Sequence, residues 1–304
     1  MWQGLEAKTK SFAALKVDAT PTLTTDVAIK SYVDSLMAYR RPTLNYAGVS
    51  TISVESGLDG TSGDIPLLFP DGTMRTETST TRTTFNITRN AVLVTSGAQS
   101  GLTGATSEAA NTWYALYGVK VTDSTTQWVT VGSTVLPIQA NYATLNTAYG
   151  TNGWVYLGLV RNGDNSGATS DLCSFFMAGN LTMFRNVVTG SSRNGVGIRL
   201  ANSASSTSTT YAYASGTGTT QIPIHLLLGW FQGGTASGTN VTFTDSGATI
   251  NYTIIEASAG GTFRVGPVGL SDGFKIAQGS AGSNDIYLAG FYDGVLGVGP
   301  NPVL

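Results

Sequence analysis

Charged side chains are scarce in this chain, and that scarcity narrows what it can fold into. Asp, Glu, Lys and Arg make up 11% of its 304 residues, against about 25% in an average soluble protein. Thr, Ser, Gly and Asn fill the gap, not a membrane-scale apolar excess. Threonine suits strands because its branched Cβ fits a pleated surface. Glycine and asparagine suit tight turns because they tolerate positive φ. Together they predict an all-β body with many turns. Short hydroxyl side chains also lose little rotamer entropy when immobilised, so such a surface suits packing of protein on protein. Much of it is therefore expected against copies or partners. The plainer alternative is a secreted bacterial β-protein of the same composition.

The length allows one large domain or two medium ones plus a tail. A net charge of −2, a pI of about 5.3 and scattered Lys and Arg give no clustered basic face, so nucleic acid is not an expected partner. Cys173 is the only cysteine, which excludes an intrachain disulfide and a cysteine zinc cluster. It sits in the apolar run Leu172-Cys173-Ser174-Phe175-Phe176 and reads as a small buried hydrophobe. The start, Met1-Trp2-Gln3-Gly4-Leu5-Glu6, lacks the basic head and apolar core of a secretory signal. No run approaches the roughly 20 apolar residues that span a bilayer. The expectation is a product made in a cytoplasm and not inserted in a membrane.

Residues 1–42 differ from the rest and hold a dense share of the charges. A helix is predicted over residues 25–39. Thr24, Thr25 or Asp26 can cap its first amides. Ile29, Val33 and Leu36 fall on one face, joined by Tyr32 and Met37, and Arg40-Arg41-Pro42 ends the helix. Three turns are too few to be stable alone, so the helix must pack on something. The segment Pro21-Thr22-Leu23-Thr24-Thr25-Asp26-Val27-Ala28-Ile29-Lys30-Ser31-Tyr32-Val33-Asp34-Ser35-Leu36 resembles a recurrent segment of bacteriophage tail-fibre and appendage proteins. In those, a Pro-containing lead precedes Asp, Ala, Lys and Tyr-Val-Asp. The resemblance implies an attachment or trimerisation element, with Ile29, Lys30, Tyr32, Val33 and Leu36 as its contact residues.

From about Leu44 the pattern becomes β. Thr51-Ile52-Ser53-Val54 alternates at period two. Asp71-Gly72 is a turn signal. Residues 83–88 and 91–94 read as strands about Arg89-Asn90, and residues 96–106 as a Gly/Ser/Ala loop. Residues 111–121 are a strong strand, residues 127–132 its partner, and residues 154–163 a further strand closed by Asn162-Gly163. Between them, Leu136-Pro137 opens a polar stretch to Tyr149. Strands follow at 172–177, 181–184 and 195–200, and residues 202–210 read as a loop or an edge. Residues 222–231 are the most hydrophobic stretch, with Pro223 at the strand's start. Strands about Phe243, Tyr252, Phe263 and Leu288 complete the set. The order across residues 113–184 resembles a β-sandwich module of phage tail and appendage proteins: a Trp-Tyr-rich strand, a Leu-Pro lead-in with Tyr142 or Tyr149, a Gly-rich approach to an apolar strand, an Arg-Asn turn, and a Phe-rich strand. The spacing of strands and turns itself predicts an antiparallel β-sandwich, jelly-roll-like, with a short N-terminal helix. No fixed-period repeat supports a β-helix. The expected organisation is an attachment segment at 1–42, a β-sandwich module at 43–190, and at 191–304 a second β module or a continuation of the same sandwich.

Little here points to chemistry. A Ser-His-Asp triad has one histidine to draw on, His225, which lies in an apolar strand and reads as structural. Asp59, Asp64, Asp71 and Glu77 have turn-like surroundings, although a pair of carboxylates meets only in three dimensions. Asn162-Gly163-Asp164-Asn165-Ser166-Gly167 lacks the order and terminal Glu of a calcium loop and reads as a hairpin tip. Gly195-Val196-Gly197 has no phosphate-loop context. No catalytic residue, metal or cofactor is therefore expected. Trp113, Tyr114, Trp128 and Trp154 are candidate carbohydrate contacts if they face outward, though core packing is the commoner use of such residues. The expectation is a non-enzymatic virion structural protein, assembled in the host cytoplasm as a short tail, collar or baseplate appendage. It should be a homotrimer that meets other virion proteins through residues 1–42. The alternatives are a capsid decoration or head-fibre protein, a receptor-binding adhesin that recognises host surface polysaccharide, and a depolymerase.

Overall fold

The computed structural model describes residues 42–56, 64–103, 108–164, 171–188, 194–204, 209–211, 222–223, 225–235, 240–245, 251–255, 262–270, 274–278 and 284–294. The predicted helix at 25–39 lies outside them. The described body is mainly β, in several sheets whose pairings are almost all antiparallel. Its first strands are β1 (Thr43–Gly48), β2 (Thr51–Glu55), β3 (Ile65–Leu68), β4 (Met74–Glu77), β5 (Thr84–Asn86) and β6 (Gly101–Leu102). Next come β7 (Thr112–Lys120), β8 (Trp128–Ser133), β9 (Trp154–Asn162), β10 (Phe175–Ala178), β11 (Leu181–Phe184), β12 (Val187–Val188), β13 (Gly195–Val196) and β14 (Ile198–Ala204). The series continues with β15 (Thr209–Tyr211), β16 (Leu226–Thr235), β17 (Asn240–Asp245), β18 (Asn251–Ile255), β19 (Thr262–Gly269), β20 (Phe274–Gln278) and β21 (Asn284–Asp293). Two short helices interrupt them, α1 (Thr80–Thr83) and α2 (Tyr142–Tyr149).

The centre of the body is the sheet β6-β8-β7-β9. Strands β8 and β9 are buried along their whole length, and β7 everywhere but Lys120. A strand reads as an unbroken apolar run when both of its faces are covered. One face of this sheet meets the β3–β4 hairpin and β5. There the Trp128 indole donates to Ile65 O at 3.0 Å, and the Phe85 ring and the Leu67 side chain fill the space left by Gly132 and Gly118. The other face carries Tyr117, which packs on Tyr149 of α2 and on Trp154 and Tyr156 of β9. Farther along β7, Trp113 meets Phe184 of β11 and Phe291 of β21 with ring centroids 6.3 and 5.9 Å apart.

Those two phenylalanines belong to the sheet β10-β11-β21-β16-β19, in which β14 also pairs with β21. This sheet draws strands from both sides of residue 190. Its inner face is apolar: Phe175, Phe184, Phe231, Leu288 and Phe291 are all buried. A further sheet, β15-β20-β17-β18, connects to it through Phe243, whose ring lies 4.9 Å from that of Phe231.

Several sequence expectations need correction. The polar stretch before Tyr149 contains helix α2; only Leu145 on it is buried, so it has no apolar stripe to betray it. Residues 91–94 form no strand, only a bridge from Val92 to Gln99. The loop at 96–106 contains β6, which pairs parallel with β8. Residues 202–204 and 209–210 belong to β14 and β15, each paired with a single described strand, in keeping with the edge reading of that run.

Candidate functional site

The attachment residues Ile29, Lys30, Tyr32, Val33 and Leu36 lie outside the described residues. The four candidate sugar contacts do not offer a face to any ligand. Trp113, Tyr114, Trp128 and Trp154 are 1%, 4%, 0% and 0% exposed. Their polar atoms are bonded inside the body: Trp154 donates to Asn146 Oδ1 at 2.9 Å and Tyr114 Oη accepts from the Ala109 amide at 2.9 Å. The Arg161 guanidinium covers the Trp113 ring at 5.4 Å. Double-sided coverage of their sheet places all four in the core, which overturns the expectation of stacking there.

Two of the described carboxylates singled out in the sequence, Asp71 and Glu77, serve structure. Asp71 accepts from Lys120 Nζ at 2.5 Å and from the Thr73 amide at 3.1 Å. Burial pushes its carboxyl up, but these bonds outweigh it and hold the group at about 2. Glu77 is buried, not in an open turn. It accepts from the Thr78 and Ser79 amides, each at 2.9 Å, and from Arg82 through both Nε and Nη2. Asp64 is exposed, and Asp59 lies outside the described residues. The Cys173 thiol is buried, and burial pushes it up to about 12.

His225 belongs to a polar cluster that the sequence does not announce. The Tyr156 hydroxyl lies 3.1 Å from His225 Nε2 and donates to Asp293 Oδ2 at 2.6 Å. Tyr156, His225 and Asp293 are at most 5% exposed. A phenol has one proton. Since it goes to Asp293, the bond to His225 requires a proton on Nε2. The Nδ1 atom then carries the lone pair, and it is buried without a partner. Burial lowers the imidazole to about 3, so it is neutral and far too weak a base for catalysis at neutral pH. The cluster links β9 to β21, and its reading as structural agrees with the apolar run around it.

One open feature of the described body is a cleft of about 320 Å³ on the outer face of the β10–β19 sheet. It exists because strand residues alternate between faces. Phe231 points into the core, while Trp230 and Gln232 point out. Register places Phe176 opposite Met183, Met183 opposite Gly290, and Gly290 opposite Trp230. One row thus crosses four strands, about 14 Å at the usual strand spacing. A Cβ at Gly290 would overlap the Met183 sulfur, so the Met183 side chain fills the space over the middle of the row. Gly266 lies against the Trp230 indole so closely that a Cβ there would sit 2.7 Å from Cδ1. Gln232 faces Arg264 across β16 and β19. Its amide is fixed by donation to Val196 O at 2.7 Å, which sets β13 as a wall of the cleft. Among the described residues no carboxylate pairs with Arg264, whose side chain is exposed.

No family model, no curated protein and no solved structure matches this chain. Among the described residues no three His, Cys, Asp or Glu side chains gather as a metal site. No described helix is long and apolar enough to cross a membrane.

Proposed function

We propose that this chain is a structural component of a bacteriophage particle: a short, homotrimeric appendage of the tail, collar or baseplate whose work is assembly, not catalysis. The observation that carries the reading is where its few reactive groups go. Glu77 is committed to Arg82, Asp71 to Lys120, Tyr156 to His225 and Asp293, and Cys173 to the core. Chemistry-bearing side chains held this way act as fasteners of a rigid body. The surface that remains is poor in charge and rich in Thr and Ser, which favours close packing against neighbours.

In this reading the body is an antiparallel β-sandwich of jelly-roll type. Its support is the ring contact of Trp113 with Phe184 and Phe291, which joins the inner faces of two sheets. Residues 1–42 form the attachment segment, with a helix at 25–39 that presents Ile29, Lys30, Tyr32, Val33 and Leu36 to a neighbouring virion protein or to symmetry mates. Light scattering of the purified full chain at micromolar concentration tests the assembly. A mass of three chains is expected; a monomer removes the appendage model. Lys30→Glu with Tyr32→Ala should then abolish incorporation into particles while the far-ultraviolet spectrum of the body is kept. Undiminished incorporation would remove the attachment role.

A further inference from the structure

We infer that the outer cleft at Trp230 and Arg264 binds an acidic saccharide, with the sugar ring on the indole and its carboxylate on the guanidinium. The inference goes beyond the particle assignment and does not depend on it.

Trp230 is the exception among the described tryptophans. Trp113, Trp128 and Trp154 are buried, whereas Trp230 is half-buried on a sheet face. An indole in that state has apolar area left to cover and a polar edge that tolerates water. Its position is fixed by Gly266, which packs directly on it. A platform held in place loses little freedom when a ring stacks on it.

The cleft is not simply apolar, which separates it from a core half awaiting a partner. Arg264 brings a full positive charge to its rim with no carboxylate of the described body to neutralise it. A guanidinium matches a carboxylate through two parallel N–H bonds. Gln232 stands between the two groups, and its pinned amide gives the hydroxyls of a sugar a fixed polar neighbour. At the far end of the same row, Phe176 is 39% exposed and carries the Arg185 guanidinium 5.1 Å from its ring centre. An aromatic ring with an arginine nearby thus occurs at both ends, and the Met183 side chain over Gly290 lies between them. That pattern suits an extended anionic chain of rings better than a single compact ligand. The cleft volume is at the lower end of small-molecule sites, enough for part of such a chain.

The test uses the full chain and two probes, trigalacturonate and the neutral trisaccharide maltotriose, with ligand-observed NMR. Wild type should bind trigalacturonate in the millimolar range or tighter, and maltotriose more weakly. Arg264→Gln, at an exposed position that the fold does not need, should weaken trigalacturonate about tenfold and leave maltotriose unchanged. Trp230→Ala should weaken both. Absence of trigalacturonate binding by wild type, or equal binding by wild type and Arg264→Gln, overturns the proposal. So does a change in oligomeric mass on Trp230→Ala in a protein that ignores both sugars, which reassigns the face to contact between copies.

Discussion

Tyr156 and Asp293 are 137 positions apart and share a buried hydrogen bond of 2.6 Å. That bond closes β9 of the central sheet onto β21, and His225 completes it. Tyr156→Phe keeps the ring and removes the proton it donates to the Asp293 carboxylate. A buried acceptor then loses one donor, and Nε2 of His225 loses its phenol acceptor. The variant should lose about 2–4 kcal/mol of stability, read from chemical denaturation. A loss within error of zero would show that water replaces the phenol there.

The same cluster gives the body an acid dependence. His225 has its folded pKa lowered to about 3 by burial, while an unfolded histidine titrates near 6.5. Below that value the unfolded chain binds a proton that the folded chain refuses. Stability should therefore fall as pH drops from about 6.5 towards 3, with the sign set by the extra proton on the unfolded side. His225→Gln should flatten the slope of the denaturation midpoint over that window relative to wild type. Parallel slopes would contradict the buried neutral imidazole.

The reach of the sequence ends where packing begins. Strands β7, β8 and β9 are legible in their aromatic and Val-rich runs, and the burial of His225 and Cys173 is legible in their apolar neighbours. Which tryptophan faces water is not. Trp113, Trp128 and Trp154 alternate with other large residues in strands covered on both sides, so period two carries no information about exposure. Trp230 sits in the most hydrophobic stretch of the chain and yet faces outward, because its neighbours Gly229 and Phe231 take the inner face. The partners of His225 come from residues 156 and 293, and no local pattern links them. The space over Gly290 is filled by a methionine of another strand.

Glu77 offers a second stability test. It is 1% exposed and takes two backbone amides at the start of α1 together with both contacting nitrogens of Arg82. Glu77→Ala leaves those amides and the guanidinium unsatisfied and should cost about 2–4 kcal/mol by urea denaturation. Arg82→Ala, at the more exposed partner, should cost less.

Gly132 and Gly150 should oppose the same added methyl for different reasons. At Gly132 a Cβ would lie 2.5 Å from the Phe85 ring, inside the core. Gly132→Ala should therefore destabilise by about 1–3 kcal/mol through overpacking. Gly150 ends α2 with a φ of +85° and open space around it. With ψ at 150° its backbone is nearly glycine-only, so Gly150→Ala should cost about 1–3 kcal/mol, from backbone strain alone. A Gly132→Ala variant as stable as wild type would contradict the packing described at Phe85.

Cys173 should be silent in the native protein. Its thiol is buried and raised to about 12, so the nucleophilic thiolate is absent at neutral pH. A thiol reagent should label no cysteine in the folded chain and one per chain in denaturant. Rapid native labelling would place the thiol at the surface.

Strand β21 is made after every other strand of its sheet, yet it holds the middle position, with β11 and β14 on one side and β16 on the other. During translation β11 can pair with β10 and β16 with β19, but these two halves have nothing to join them. The sheet closes only when residues 284–293 leave the ribosome, so a stop codon a few dozen positions early would remove the keystone of half the body, not a dispensable tail. Until then β11 and β16 each keep an open edge that β21 will cover.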